Sequence, residues 1–178
     1  MARLKIWYLP TVSHTRTVFS EETYQRFLAN FDVTENMTDH NYTTEVIEDG
    51  IADFDGLVTG WGSPPISKTA LQRAKCLKIV AHLAGSVKGF FTQDLIDRYL
   101  IPRDICVVSA NGAIALNVAE HTVGAMIMMS RQWIHHALNV RERGLWNDRS
   151  MPKSRQGLRG AMVGLISAGT VAREVIGL

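Results

Sequence analysis

The chain is short of most features that would narrow its role at once. It has two cysteines in 178 residues, Cys76 and Cys106, far apart and without metal-type spacing. That argues against a disulfide framework or a thiolate metal site, and the thiols read as reduced, buried and cytoplasmic. Charge imbalance is equally slight: 19 Lys and Arg against 17 Asp and Glu leave a net +2, with both signs scattered. Nucleic-acid recognition needs clustered basic residues, so no such partner is expected. No apolar run approaches the ~18 residues of a bilayer span. The first residues, Met-Ala-Arg-Leu-Lys, run straight into a strand pattern with no signal segment, so no membrane is expected either. The richest apolar run, residues 123–129, includes Gly124 and Ala125 and is better read as the buried side of a helix.

What is present is an alternation of strands and helices. Residues 4–9 are apolar, aromatic-rich and stopped by Pro10, as in a strand. Ser20 before Glu21 and Glu22 has the form of an N-cap with an acidic first turn, and Tyr24, Phe27 and Leu28 share one helix face. Residues 31–33 read as a second strand and 43–47 as a second helix. Residues 54–59 form a strand pattern that runs into Gly-Trp-Gly-Ser-Pro-Pro, a loop. Ser67 caps a helix containing Leu71 and Ala74. Residues 77–83 are a near-continuous apolar strand suited to burial on both faces, and the loop 84–89 follows. Residues 93–99 are a short helix stopped by Pro102, and 105–108 another buried strand.

Strand-helix alternation at spacings of about 20–25 residues predicts an α/β fold with a doubly wound parallel sheet. Ligands of such sheets bind beyond the carboxyl ends of the strands, which points to loops 60–65 and 84–89. Asn111-Gly112 then reads as a turn. Asn117 and Glu120 have capping-box spacing and open a helix over residues 118–143, about 26 residues and roughly 39 Å long. Gly144 after Arg141 and Arg143 ends it. A helix of that length either bridges domains, packs on a partner chain or forms a long core element. Residues 146–156 read as a polar surface loop.

The final stretch carries the most specific chemistry. Residues 161–166 are apolar enough for a central strand. Ser167-Ala-Gly169-Thr170-Val171-Ala172 overlays the Gly-x-Gly-x-x-Gly/Ala pattern of dinucleotide-binding turns. The middle glycine lets backbone approach a pyrophosphate, the third position must be small, and helix amides stabilise the phosphates. Gly169 and Ala172 satisfy two positions; Ser167 departs at the first, where glycine is less strained. An ordinary strand-turn-helix with small residues remains the alternative. The acidic residue expected ~20 positions on would fall beyond Leu178, so NAD and NADP are not distinguished and the chain reads as a fragment.

Four segments together resemble the D-isomer-specific 2-hydroxyacid dehydrogenases: residues 77–88 (LKIVAHLAGSVK), 105–112 (ICVVSANG), 118–122 (VAEHT) and 160–169 (GAMVGLISAG). The resemblance covers most of residues 50–178. It implies a flavodoxin-like substrate domain over residues 1–110, then an interdomain helix and the first βα unit of a Rossmann NAD-binding domain over 111–178. It implies NAD or NADP as cofactor, a small 2-oxo or 2-hydroxy acid as substrate, and a homodimer through helix 118–143. Backbone amides of Gly85, Ser86 and Val87 would hold the substrate carboxylate, with Ser86 also beside the nicotinamide and Trp61 facing the cleft. Ser167, Gly169, Thr170 and Val171 would meet the cofactor. Lys88-Gly89 departs from the family's usual small-residue and aspartate pattern. A plain turn at Gly85 and a packing role for Trp61 stay open. The family's catalytic Arg, carboxylate and His are expected beyond Leu178, so this chain alone is expected to lack activity. His121 reads as a packing or capping residue, His82 as a satisfied core histidine, and His135-His136 as a solvated pair whose side chains diverge. A non-catalytic NAD(H)-binding regulator or a dimerisation module on the same fold are the rival readings.

Overall fold

The computed structural model describes residues 3–146 and 157–178. They divide into two compact units, Met1–Asn111 and Gly112–Leu178.

The first unit is a five-stranded sheet with helices packed on it. Its elements are β1 (Lys5–Tyr8), α1 (Val12–Val18), α2 (Glu21–Asn30), β2 (Asp32–Glu35), α3 (Thr44–Gly50), β3 (Gly56–Thr59), α4 (Lys68–Arg73), β4 (Ile79–His82), α5 (Gln93–Leu95, running into a π-helical turn at Ile96–Leu100) and β5 (Cys106–Ser109). All strand pairs are parallel, in the order β2-β1-β3-β4-β5. This is the flavodoxin-like order, and its direction reverses between β1 and β3. The register sets Thr59 opposite His82 at the ends of β3 and β4.

Side-chain alternation along β1 builds two cores, one on each face. Ile6 and Tyr8 join Val58 against Phe19, Tyr24 and Phe27 on one side. Trp7 and Leu9 join Ile47, Leu57, Leu71 and Leu100 on the other, where Trp7 stacks on Phe54 at 5.2 Å. Each fully buried large apolar side chain contributes about 1.5–3 kcal/mol by leaving water. The two caps predicted in this unit form: Ser20 accepts from the Thr23 N–H and Ser67 from the Ala70 N–H.

Several expectations are corrected here. The sequence pattern predicts no helix over Val12–Val18, because its β-branched and hydroxyl residues are poor helix formers; it forms with Thr11 Oγ1 accepting the His14 N–H at 3.3 Å. Strand β5 is the sheet edge and mostly exposed rather than buried. Cys76 and Cys106 are free and exposed, not buried.

The second unit holds α6 (Asn111–Ser130), α7 (Trp133–Arg143) and α8 (Thr170–Gly177), with Asn111 at the boundary. The single helix expected over residues 118–143 is therefore two. It also starts earlier, so Asn111-Gly112 is helical and Asn117 is interior, its side chain donating to the Ala113 carbonyl at 3.4 Å. The interruption falls at Gln132, which adopts a left-handed conformation, just after the Ser130 hydroxyl bonds the Ile127 carbonyl at 2.9 Å. Gly144 stops α7 in a left-handed C-cap, as expected. By length and composition alone α6 could cross a membrane. Residues 123–126 are half-buried, but Ile127, Met128 and Met129 are exposed, so that run is not the buried side of a helix throughout. The strand expected at residues 161–166 pairs with nothing among the described residues; Met162 and Ile166 stand fully exposed. A strand needs a neighbour for its backbone groups, and an apolar run alone does not supply one. Most of the loop expected at 146–156 lies outside the described residues.

Candidate functional site

The carboxyl ends of β1, β3 and β4 lie side by side at the point where strand order reverses. Three segments leave them: the start of α1 with His14, the loop after β3 with Trp61, and the loop after β4 with Gly85, Ser86 and Val87.

The β3 loop is tightly built. The Gly60 N–H donates to Ser63 Oγ at 3.0 Å, and the Ser63 N–H returns to the Gly60 carbonyl at 3.2 Å. Gly62 has φ +80, a conformation that favours glycine. Trp61 is 55% exposed. Its ring sits 4.8 Å from that of His14 at a tilt, and its N–H donates to His14 Nδ1 at 3.3 Å. Trp61 thus has both a packing partner and an open face.

The β4 loop is different. Ser86 Oγ accepts from the Lys88 N–H at 3.2 Å, and the Phe90 N–H donates to the Val87 carbonyl at 3.0 Å. Among the described residues, no acceptor meets the N–H of Gly85, Ser86 or Val87. A Cβ at Gly85 would meet nothing closer than Asn111 Oδ1 at 3.9 Å, so the space beside that backbone is open. These three N–H groups are therefore free to meet an acceptor from outside the chain. The two loops are joined where the Ile66 N–H donates to the Phe90 carbonyl at 3.2 Å.

Beneath them lie two buried histidines. His82 Nδ1 and Thr59 Oγ1 share a hydrogen bond of 2.9 Å, and the His82 ring packs 4.6 Å from Phe90. His82 is the satisfied core histidine that its strand position suggests. Burial pushes its pKa below the ordinary 6.5, and the proximity of His14 adds to this. Burial likewise lowers the pKa of His14, while the Leu83 backbone opposes the shift. His14 Nε2 is buried and meets no hydrogen-bond partner of normal geometry. His14 and Thr59 are the residues that sequence reasoning overlooks. The signal was the position of His14 just past a strand's carboxyl end, hidden because α1 has no helical periodicity.

The remaining predicted residues lie in the second unit. Ser167 has φ +80, so the departure from glycine falls at a position where the left-handed region is occupied, at a cost of about 1–2 kcal/mol. Gly169 is the N-cap of α8 and Thr170 its first residue; Val171 is half-buried. No side chain caps this helix start, and a Cβ at Gly169 would meet only Ser167 Oγ, at 3.9 Å. Uncapped amides and open backbone fit a phosphate group. His121 is exposed within α6 and neither packs in a core nor caps the helix; His135 and His136 are exposed. Among the described residues no cluster of three or more His, Cys, Asp or Glu could hold a metal ion.

No family model matches the sequence. The chain is 27% identical over 140 residues to formate dehydrogenase of Pichia angusta, covering 78% of this chain and 38% of that protein. It is 28% identical over 134 residues to D-3-phosphoglycerate dehydrogenase of Methanocaldococcus jannaschii, covering 75% and 24%. The chain therefore spans well under half the length of these curated relatives. Its fold matches the NADPH-dependent glyoxylate/hydroxypyruvate reductase of Sinorhizobium meliloti, solved in complex with citrate, with TM-score 0.64 and 17% identity over 98% of this chain and 50% of that one.

Proposed function

We propose that this chain, a relative of the D-isomer-specific 2-hydroxyacid dehydrogenases, carries the substrate domain of an NAD(P)-dependent oxidoreductase that interconverts a small 2-oxo acid and a D-2-hydroxy acid. The observation that carries this reading is the run of unpaired amides at Gly85, Ser86 and Val87, open to a ligand beside the strand-order reversal. Adjacent free N–H donors suit a carboxylate, which only accepts hydrogen bonds. Trp61, on the neighbouring loop, offers an apolar face for the rest of a small acid. Ser167, Gly169, Thr170 and Val171 would hold the cofactor's pyrophosphate at the uncapped start of α8. The cofactor, when bound, supplies or accepts the hydride. The free thiols of Cys76 and Cys106 suit a reducing cytoplasm.

The test is binding of a small 2-oxo acid, followed by amide resonances. Pyruvate should shift the Gly85, Ser86 and Val87 amides, and Gly85→Asp, which sets a like charge in the open space, should abolish the shifts. Amides that stay put in the wild type would remove the basis of the reading.

A second reading, that the chain pairs as a homodimer through residues 118–143, is favoured by exposed apolar side chains on α7. Trp133 is 63% and Ile134 59% exposed, beside Met128 and Met129 at the end of α6. Such patches on a helix pair suit a second copy.

A further inference from the structure

We propose that His14 is a positioning residue for the substrate loop after β3: its neutral ring pins the Trp61 backbone through Nδ1, and protonation releases it. The inference rests on the reading of that loop as substrate-facing. Three contacts converge on one side chain. Nδ1 accepts the Trp61 N–H, the ring packs on the Trp61 indole, and Gly60 lies so close that a Cβ there would come within 2.7 Å of His14 Cε1. His14 is 6% exposed and belongs to α1, so the loop is anchored to a different element from the strand it leaves.

The tautomer follows from the contacts. A ring nitrogen that accepts a hydrogen bond carries no proton, so in the neutral ring the proton is on Nε2. The Leu83 backbone, at the base of the β4 loop, is the nearby group that favours a proton on this ring. His14 therefore stands between the two loops proposed to face the substrate. Protonation converts Nδ1 into a donor and leaves two donors facing each other at the Trp61 N–H, which breaks the pin.

The groups around the ring set when this happens. His82 on β4 is the titratable neighbour whose charge reaches His14, and a proton on either opposes one on the other. Gly60, Trp61, Thr11 and the Leu83 backbone carry no charge. Arg16 on α1 and Asp39, which accepts the Ser13 N–H at 2.8 Å, are solvent-exposed. Burial keeps both histidines neutral around pH 7, so the pin is closed there and opens on acidification below the ordinary histidine range.

Amide hydrogen exchange on the whole chain tests this without an activity assay. His14→Phe keeps a ring against Gly60 and Trp61 and removes the acceptor; Trp61 amide protection should fall about tenfold, the weight of one hydrogen bond. His14→Gln returns an acceptor and should recover most of it. In the wild type, the Trp61 amide resonance should follow the titration of the His14 ring. Unchanged protection in a folded H14F overturns the proposal. If H14F does not fold, the wild-type titration decides, and a Trp61 amide indifferent to His14 protonation overturns it equally. Pyruvate shifts at Gly85, Ser86 and Val87 are read in the same samples. Their absence, with Trp61 protection lost in H14F, supports the pin and sinks the substrate-site reading.

Discussion

The two units spend their apolar residues in opposite ways. In the first, Leu57, Ile51 and Leu71 are wholly buried and every strand has a hydrogen-bonded neighbour. In the second, the buried apolar side chains among the described residues are the small ones, Ala115 and Ala119, while Trp133, Trp146, Met162 and Ile166 face solvent. Apolar content alone does not separate them; the availability of partners does. A parallel sheet closes its own core once helices cover both faces, whereas a lone strand sequence or helix pair waits for another surface.

That contrast can be broken by substitution. The largest effect belongs to Leu57→Ala, which empties a site on the central strand β3 where the leucine is 0% exposed. It should lower unfolding stability by about 2–5 kcal/mol, read from the denaturant midpoint at constant slope. A loss below about 1 kcal/mol would mean that the sheet unit is loosely packed. Next comes Thr59→Val, which removes the hydroxyl bonded to His82 Nδ1 but keeps the shape. Leaving a buried ring nitrogen unpaired should cost about 1–3 kcal/mol in the same measurement. The smallest effect is expected in the other unit. Ile166→Ser alters a side chain with no packing partner and should stay within about 0.5 kcal/mol, while reducing self-association in sedimentation. A large loss there would show that residues 161–166 have a partner in solution and would erase the contrast.

The sheet was legible because its strands announce themselves twice, by apolar runs and by the loops that end them. Residues 77–83 and 54–59 could be read as strands, and Ser67 as a cap, because burial on two faces and an orphan helix amide each demand particular residue types. The exposed edge was not legible: Cys106-Val-Val-Ser109 looks like a central strand until the sheet shows nothing beyond it. The break between α6 and α7 was hidden for the opposite reason. Arg131-Gln132 contains neither glycine nor proline, and the left-handed Gln132 has no signature in sequence. In the site, the glycine-serine loop could be read from composition. The histidine beside it could not, because its contacts run between the ends of two neighbouring strands, from a helix without periodicity.

The closeness of Gly60 to the His14 ring has a consequence for descent. A methyl group at position 60 has nowhere to go while an imidazole stands at position 14, and a small residue at 14 would leave the glycine unconstrained. Across diverging copies of this chain position 60 should gain a side chain only where position 14 has become smaller, while position 14 is free to change with Gly60 in place, and a chimera that brings a larger residue to position 60 against His14 should carry the misfit in the loop after β3.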